Sequence, residues 1–211
     1  MYAISAQVND VGVVKVPLLP APSFELDTET IYNALSEQSN IEMVCICSPG
    51  NPTGSTVRKE DVNKILSHPT WNGVVILEET YIDYSSKTTS LAEWVTEWQN
   101  SVIVQTLSKS FSIASIRLRA AFTTTPVTHL LRNLSITYNI PSPTVIFTKY
   151  ALTSGLVIMA DNVVKTAEER YRHEISRRGS WMPWVSAYYH CHGRRGGKLS
   201  SSVELDAERS A

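Results

Sequence analysis

Residues 41 to 52 read Ile-Glu-Met-Val-Cys-Ile-Cys-Ser-Pro-Gly-Asn-Pro, and this run decides the fold. Ile41 to Cys47 is almost continuously apolar and stops abruptly at the turn-forming residues Ser48 to Pro52. A strand exposed on one face alternates polar and apolar side chains, whereas an unbroken apolar run suits a strand covered on both faces. Two further runs of this kind follow, Gly73 to Leu77 (GVVIL) and Ser101 to Leu107 (SVIVQTL). Between the three lie segments expected to be helical. Arg58 to Leu66 places Val62, Ile65 and Leu66 at helical spacing, and Leu91 to Trp98 forms a second such segment. Upstream, the β-branched stretch Val11 to Leu18 predicts a strand. Asp27 then occupies an N-cap position ahead of a helix through Ile31, Leu35 and Gln38. Downstream, Ala120 to Thr123 reads as a strand. Pro126 suits the first turn of a helix, and the pattern is helical from Ser142 through Ile146, Tyr150 and Leu152, then again from Val157 to about Ile175. Strands alternating with helices over short connections predict an α/β fold with a mostly parallel sheet.

In an open sheet of this type, ligands bind beyond the carboxyl ends of the strands. The residues to inspect are therefore Ser48 to Gly54, Glu78 to Tyr81, and Ser108 to Arg119.

Composition sets the outer bounds. A chain of 211 residues with 43% hydrophobic content can bury the core of one ordinary domain. A net charge of −1 gives no electrostatic case for nucleic acid or a membrane surface as a partner. No apolar run approaches the roughly 20 residues that span a bilayer, and the first residues show no signal-peptide pattern. The three cysteines, Cys45, Cys47 and Cys191, are an odd count, and the first two share one face of a strand. They do not make a disulfide framework, and the expected setting is reducing and cytoplasmic. His190-Cys191-His192 lacks a second ligand cluster at finger-like spacing, so no metal is expected.

The three strand-end segments resemble one family. Ser48-Pro49-Gly50-Asn51-Pro52-Thr53-Gly54 resembles the SPxNPTG loop of the class I and II, fold-type I, pyridoxal-phosphate-dependent aminotransferases. Glu78-Glu79-Thr80-Tyr81 stands where that family carries Asp-Glu-Ala-Tyr. Thr106 to Leu118 (TLSKSFSIASIRL) resembles its TLSKSFGLAGIRL segment. Tyr138-Asn139-Ile140 resembles the PYNI element of the histidinol-phosphate aminotransferase branch, and Met1 to Asp10 resembles the stretch following its PTYxMY motif.

The resemblance implies a partial large domain over residues 1–175, with the three-layer, mostly parallel sheet of these transferases and a helical C-terminal segment. Residues 176–211 are then expected to be a disordered tail outside the family, with further segments of a complete member lying before Met1 and after about residue 175. The implied cofactor is pyridoxal 5′-phosphate (PLP). Lys109 would bind it covalently and later carry the proton. Asn51 and Tyr81 would hold its 3′-oxygen, and Glu78 would face the ring nitrogen. Thr106, Ser108 and Arg117 would hold the phosphate, and Tyr138 and Asn139 would lie near the substrate. Amino and keto acids are the implied small-molecule partners, in a homodimer. The implied reaction is transfer of an amino group from histidinol phosphate to 2-oxoglutarate, giving imidazole-acetol phosphate and glutamate. The alternatives are a non-catalytic remnant or interaction module, or an aminotransferase for another amino acid. Two departures from the family pattern stand out. Glu78 is one methylene longer than Asp, and Ser112, Ser115 and Arg119 occupy positions usually held by glycine. Such glycines matter where φ is positive.

Overall fold

The computed structural model describes residues 2–85, 88–135, 139–176 and 186–191, with side chains through residue 166. Its centre is the apolar run Ile41–Cys47. Strand β2 (Ile41–Cys47) lies parallel to β3 (Val74–Glu78), and β3 lies parallel to β4 (Ser101–Thr106). Two edges are antiparallel to this core. On one side β5 (Arg119–Phe122) pairs with β4. On the other, β6 (Ser186–Cys191) pairs with β2 and with β1 (Lys15–Pro17). The spatial order is β1-β6-β2-β3-β4-β5, so β1 to β4 all point the same way. Strand β6 falls inside the stretch expected to be a tail, whose other residues (177–185 and 192–211) lie outside the described ones.

Helices cover the sheet because their apolar stripes match it. Helix α1 is Tyr2–Val8, α2 is Thr28–Glu37 and α3 is Lys59–Leu66. Asp27 caps α2 by accepting a hydrogen bond from the Thr30 amide at 3.0 Å, as its position predicts. Ile31 and Leu35 of α2, Val62, Ile65 and Leu66 of α3, and Val44, Ile46, Val75, Leu77 and Ile103 of the strands form one buried cluster. The apolar run of β2 is therefore covered by packing on both faces at its centre, where Val44, Cys45 and Ile46 are all buried.

Three expectations need adjusting. Leu91 to Trp98 does not form an α-helix but a short 3-10 turn, Ala92–Thr96. The Leu91 amide is drawn to the Glu79 carboxylate (2.7 Å), which holds the segment's start to the sheet. The strand expected over Val11 to Leu18 shortens to Lys15–Pro17, and the helix over Tyr2–Val8 was not foreseen.

Gly73 shows why one small residue precedes β3. The Trp71 indole donates to the Ile41 carbonyl at 2.6 Å and fills the space beside Gly73. A β-carbon at Gly73 would stand 2.3 Å from the Trp71 ring and 2.4 Å from the Glu42 carbonyl. Gly73→Ala is therefore expected to lower unfolding stability by about 1–3 kcal/mol, read as a drop in the midpoint of chemical denaturation.

After β5 the chain is helical: α4 (Thr125–Leu134), α5 (Ser142–Ala151) and α6 (Leu156–Ser176). These helices expose large apolar side chains, including Leu130, Leu134, Ile146, Phe147, Tyr150 and Val157. No single described helix is long and apolar enough to cross a membrane. The pair Ser142–Ala151 and Leu156–Thr166 meets the length and composition test jointly, bent by 73°.

Candidate active site

The three inspected segments converge beyond the carboxyl ends of β2, β3 and β4. The loop after β2 is folded on itself. The Gly54 amide donates to the Gly50 carbonyl at 2.8 Å, the Val57 amide donates to Ser48 Oγ at 3.0 Å, and Gly54 adopts φ +67°. This geometry presents Asn51, whose Nδ2 donates to the Tyr81 hydroxyl at 3.1 Å. Tyr81 lies just past β3, and the Lys109 Nζ stands over its ring, 5.4 Å from the centroid. Asn51, Tyr81 and Lys109, from three different loops, thus form one group.

The loop after β4 carries Lys109 between two anchored serines. Thr106 Oγ1 lies 2.9 Å from Ser108 Oγ and 3.2 Å from the Leu118 carbonyl, which brings the Arg117 segment beside Ser108. Arg117 is exposed and donates one guanidinium N–H to the Ala114 carbonyl at 3.1 Å, leaving the rest of its fork to other acceptors. Ser110 is fully buried and donates to Asp83 Oδ2, tying the lysine loop to the 3-10 turn Ile82–Tyr84 that follows Tyr81. From α6, Asn162 Nδ2 donates to the Ser110 carbonyl (3.2 Å) and to Ser112 Oγ (3.0 Å).

The departures from glycine now separate. Ser112 has φ +56° and occupies the left-handed region, and so does Arg117 at φ +51°. Ser115 and Arg119 are not among the positive-φ residues, and Arg119 simply opens strand β5. Only one of the three substitutions meets a backbone that favours glycine, at a cost of roughly 1–2 kcal/mol. The bond from Asn162 to Ser112 Oγ offsets part of it.

Glu78 closes β3 and is buried. Its Oε2 accepts from the Tyr2 hydroxyl at 2.6 Å, and its Oε1 accepts from the Thr80 hydroxyl at 2.8 Å. Across the sheet it is in register with Cys47. Burial first, and the nearby Glu78 carboxylate second, push the Cys45 thiol up to about 12 and the Cys47 thiol up to about 11. Both thiols start from 9.0, so at pH 8 only about one Cys47 in a thousand is a reactive thiolate. Iodoacetamide labelling of the folded chain at these two positions is expected to be negligible at pH 8 and to rise above pH 10. The sign for stability follows. These groups keep their protons in the folded chain while the unfolded chain releases them above pH 9, so stability falls as pH rises from 9 through the folded values. Thermal midpoints measured from pH 8 to 11 read that fall, which is smaller in Cys47→Ser.

Of the residues singled out in the sequence, Glu78 and Thr106 end strands β3 and β4, and Asn51, Tyr81, Ser108, Lys109 and Arg117 stand in the loops that follow β2, β3 and β4. Asn139 is exposed, and Tyr138 lies outside the described residues. Sequence reasoning missed Tyr2, Thr80, Asp83 and Asn162. Asp83 and Thr80 sit within two residues of Tyr81 and were open to notice, whereas nothing local links Tyr2 or Asn162 to the site. Among the described residues no group of three or more His, Cys, Asp or Glu is arranged to hold a metal.

Comparison with known proteins places this arrangement. The model of the family "aminotransferase class I and II" matches residues 1–178. A histidinol-phosphate aminotransferase of Schizosaccharomyces pombe is 46% identical over 144 residues, covering 68% of this chain and 37% of the relative. The chain spans between 37% and 44% of the first curated relatives it matches. Among solved structures, the histidinol-phosphate aminotransferase of Clostridium acetobutylicum superposes with a TM-score of 0.71 at 19% identity, covering 84% of this chain and 53% of that one. That of Sinorhizobium meliloti, solved in complex with pyridoxal 5′-phosphate, gives 0.64 at 20% identity, covering 75% and 42%. These two likenesses establish the fold.

Proposed function

Because the chain belongs to the class I and II aminotransferase family, we propose that it binds pyridoxal 5′-phosphate at the three strand-end loops and transfers an amino group from histidinol phosphate to 2-oxoglutarate. The observation that carries this reading is the single group formed by Asn51, Tyr81 and Lys109 beside the Thr106–Ser108–Arg117 corner. The donor set fits the cofactor. An exposed primary amine stands over an aromatic ring, two polar side chains can reach a phenolic oxygen, and a hydroxyl pair is bonded to the backbone next to Arg117, whose guanidinium suits a phosphate. Bound in such a site, the cofactor's protonated ring supplies an electron sink for the substrate's α-carbon.

Each residue then has a task. Lys109 is the nucleophile that attaches the cofactor, and its amine, once released, moves the proton at the substrate α-carbon. Asn51 and Tyr81, already hydrogen-bonded to each other, orient the 3′-oxygen. Thr106, Ser108 and Arg117 hold the phosphate, with Arg117 contributing charge-assisted hydrogen bonds. Glu78 faces the ring nitrogen and favours its protonated form. Tyr138 and Asn139 belong to the substrate side of this assignment.

The substrate rests on the 46% identity to a histidinol-phosphate aminotransferase. The proposed assembly is a homodimer, supported by the apolar side chains that α4 and α5 expose, among them Leu134 and Phe147. The proposed setting is the cytoplasm, in keeping with the free thiols of Cys45 and Cys47. The test is direct. The purified chain with PLP is mixed with histidinol phosphate and, separately, with aromatic amino acids, and the keto product is measured. Imidazole-acetol phosphate formed in preference to the aromatic keto acids supports the reading. Preference for another amino donor overturns the substrate, and no product from any donor overturns the activity.

A further inference from the structure

The acidic residue at the end of β3 is a glutamate, whose extra methylene adds a rotatable bond and so a larger entropy cost of holding the carboxylate still. Two hydroxyls remove that freedom. Tyr2, at the start of α1, donates to Oε2 at 2.6 Å from 76 residues away in sequence, and Thr80, two residues on, donates to Oε1 at 2.8 Å. The Tyr2 separation is at the short end of the range for a hydroxyl donating to an oxygen acceptor. A carboxylate offers about four lone-pair sites. Two are used here, and one on each oxygen is left for a further donor.

We propose that Tyr2 is a positioning residue which, together with Thr80, clamps the Glu78 carboxylate so that its remaining lone pairs meet the protonated ring nitrogen of the cofactor. This rests on the cofactor site proposed above. The clamp replaces the shortness of aspartate with two fixed hydroxyls, and it spends no charge doing so. Tyr2 is well suited to the task. Its burial, followed by the adjoining Glu78, pushes the phenol well above its ordinary range, which keeps it a donor around neutral pH. Thr80 acts from the other side of the same carboxylate, so the two hydroxyls oppose rotation in both senses.

The test compares two ligands on the same proteins. One is PLP, and the other is its analogue with the ring nitrogen replaced by carbon. Dissociation constants are read from quenching of tryptophan fluorescence in the wild-type chain, Tyr2→Phe and Thr80→Val. Each hydroxyl acts through the nitrogen contact, so each substitution is expected to weaken PLP by about tenfold and to leave the analogue's affinity unchanged. Equal weakening of both ligands would show a purely structural role and overturn the proposal, as would unchanged PLP affinity. If Tyr2→Phe does not fold, Thr80→Val alone decides between the same outcomes. A separate control distinguishes failure of the site itself. Should borohydride fix no PLP on Lys109 of the wild-type chain, the cofactor site falls and the clamp with it. If Lys109 is labelled while both variants bind PLP as wild type does, only the clamp falls.

Discussion

Lys109→Ala is expected to reduce amino-group transfer by roughly 10⁴-fold or more, because it removes both the covalent attachment and the proton carrier in one step. The case rests on position. Lys109 is exposed near the start of the loop after β4, followed by Ser110, whose hydroxyl is bonded to Asp83 and whose carbonyl is held by Asn162. Its backbone is fixed while its amine remains available, with the Tyr81 ring as its neighbour. The other lysines with a described partner are engaged away from the site. Lys59 lies over Trp94, Lys64 over Tyr32, and Lys165 pairs with Asp161 at 2.6 Å. Stability should stay within about 0.5 kcal/mol of wild type, as is usual for an exposed side chain. Steady-state turnover alongside a denaturation curve separates the two effects.

Glu79→Ala is expected to be the most damaging single change to the fold, lowering stability by about 3–5 kcal/mol. Glu79 neighbours Glu78 but makes a separate set of contacts and is only 2% exposed. Its carboxylate accepts from Ser90 Oγ at 2.6 Å, the Leu91 amide at 2.7 Å and Gln105 Nε2 at 2.8 Å. It therefore ties the connection that leads to the 3-10 turn back onto β4. Truncation leaves the buried Leu91 amide and the Ser90 hydroxyl without their acceptor, while Gln105 keeps only its bond to Ser90 Oγ at 2.9 Å, and an unmade hydrogen bond inside a protein costs more than a made one contributes. For a chain of this size the loss corresponds to a fall in melting temperature of roughly 6–20 °C. Glu79→Gln keeps one acceptor and should fall between. A melting temperature within about 2 °C of wild type for Glu79→Ala would refute this account of the connection.

The two glutamates show what a sequence can and cannot disclose. The apolar run ending at position 77 predicts a buried strand, and the turn residues after position 47 predict where a ligand loop lies. Both are local properties, set by side-chain periodicity and by the conformations open to Pro, Gly and Asn. The boundaries of β2 and the cap at Asp27 follow from the same rules. What the sequence withholds is tertiary. Tyr2 reaches Glu78 across 76 residues and Asn162 reaches Ser112 across 50, and neither pairing leaves a local trace. The short turn at Ala92–Thr96 was unreadable for the same reason. Its apolar residues have helical spacing, yet the segment forms only a 3-10 turn whose start is tied to Glu79, just past β3, a contact set by the tertiary fold. Of the glycine positions, pattern alone cannot say which backbone angle each requires. The structure assigns a positive φ to Ser112 and not to Ser115 or Arg119.

The central claim is that this chain holds pyridoxal 5′-phosphate on Lys109. It is tested most directly by incubating the purified chain with PLP, reducing with borohydride, digesting, and locating the pyridoxyl group by mass spectrometry among the eight lysines. The account predicts the label on the peptide containing Lys109 and its displacement when histidinol phosphate is added before reduction. Label spread over the other lysines, or none at all, would contradict it.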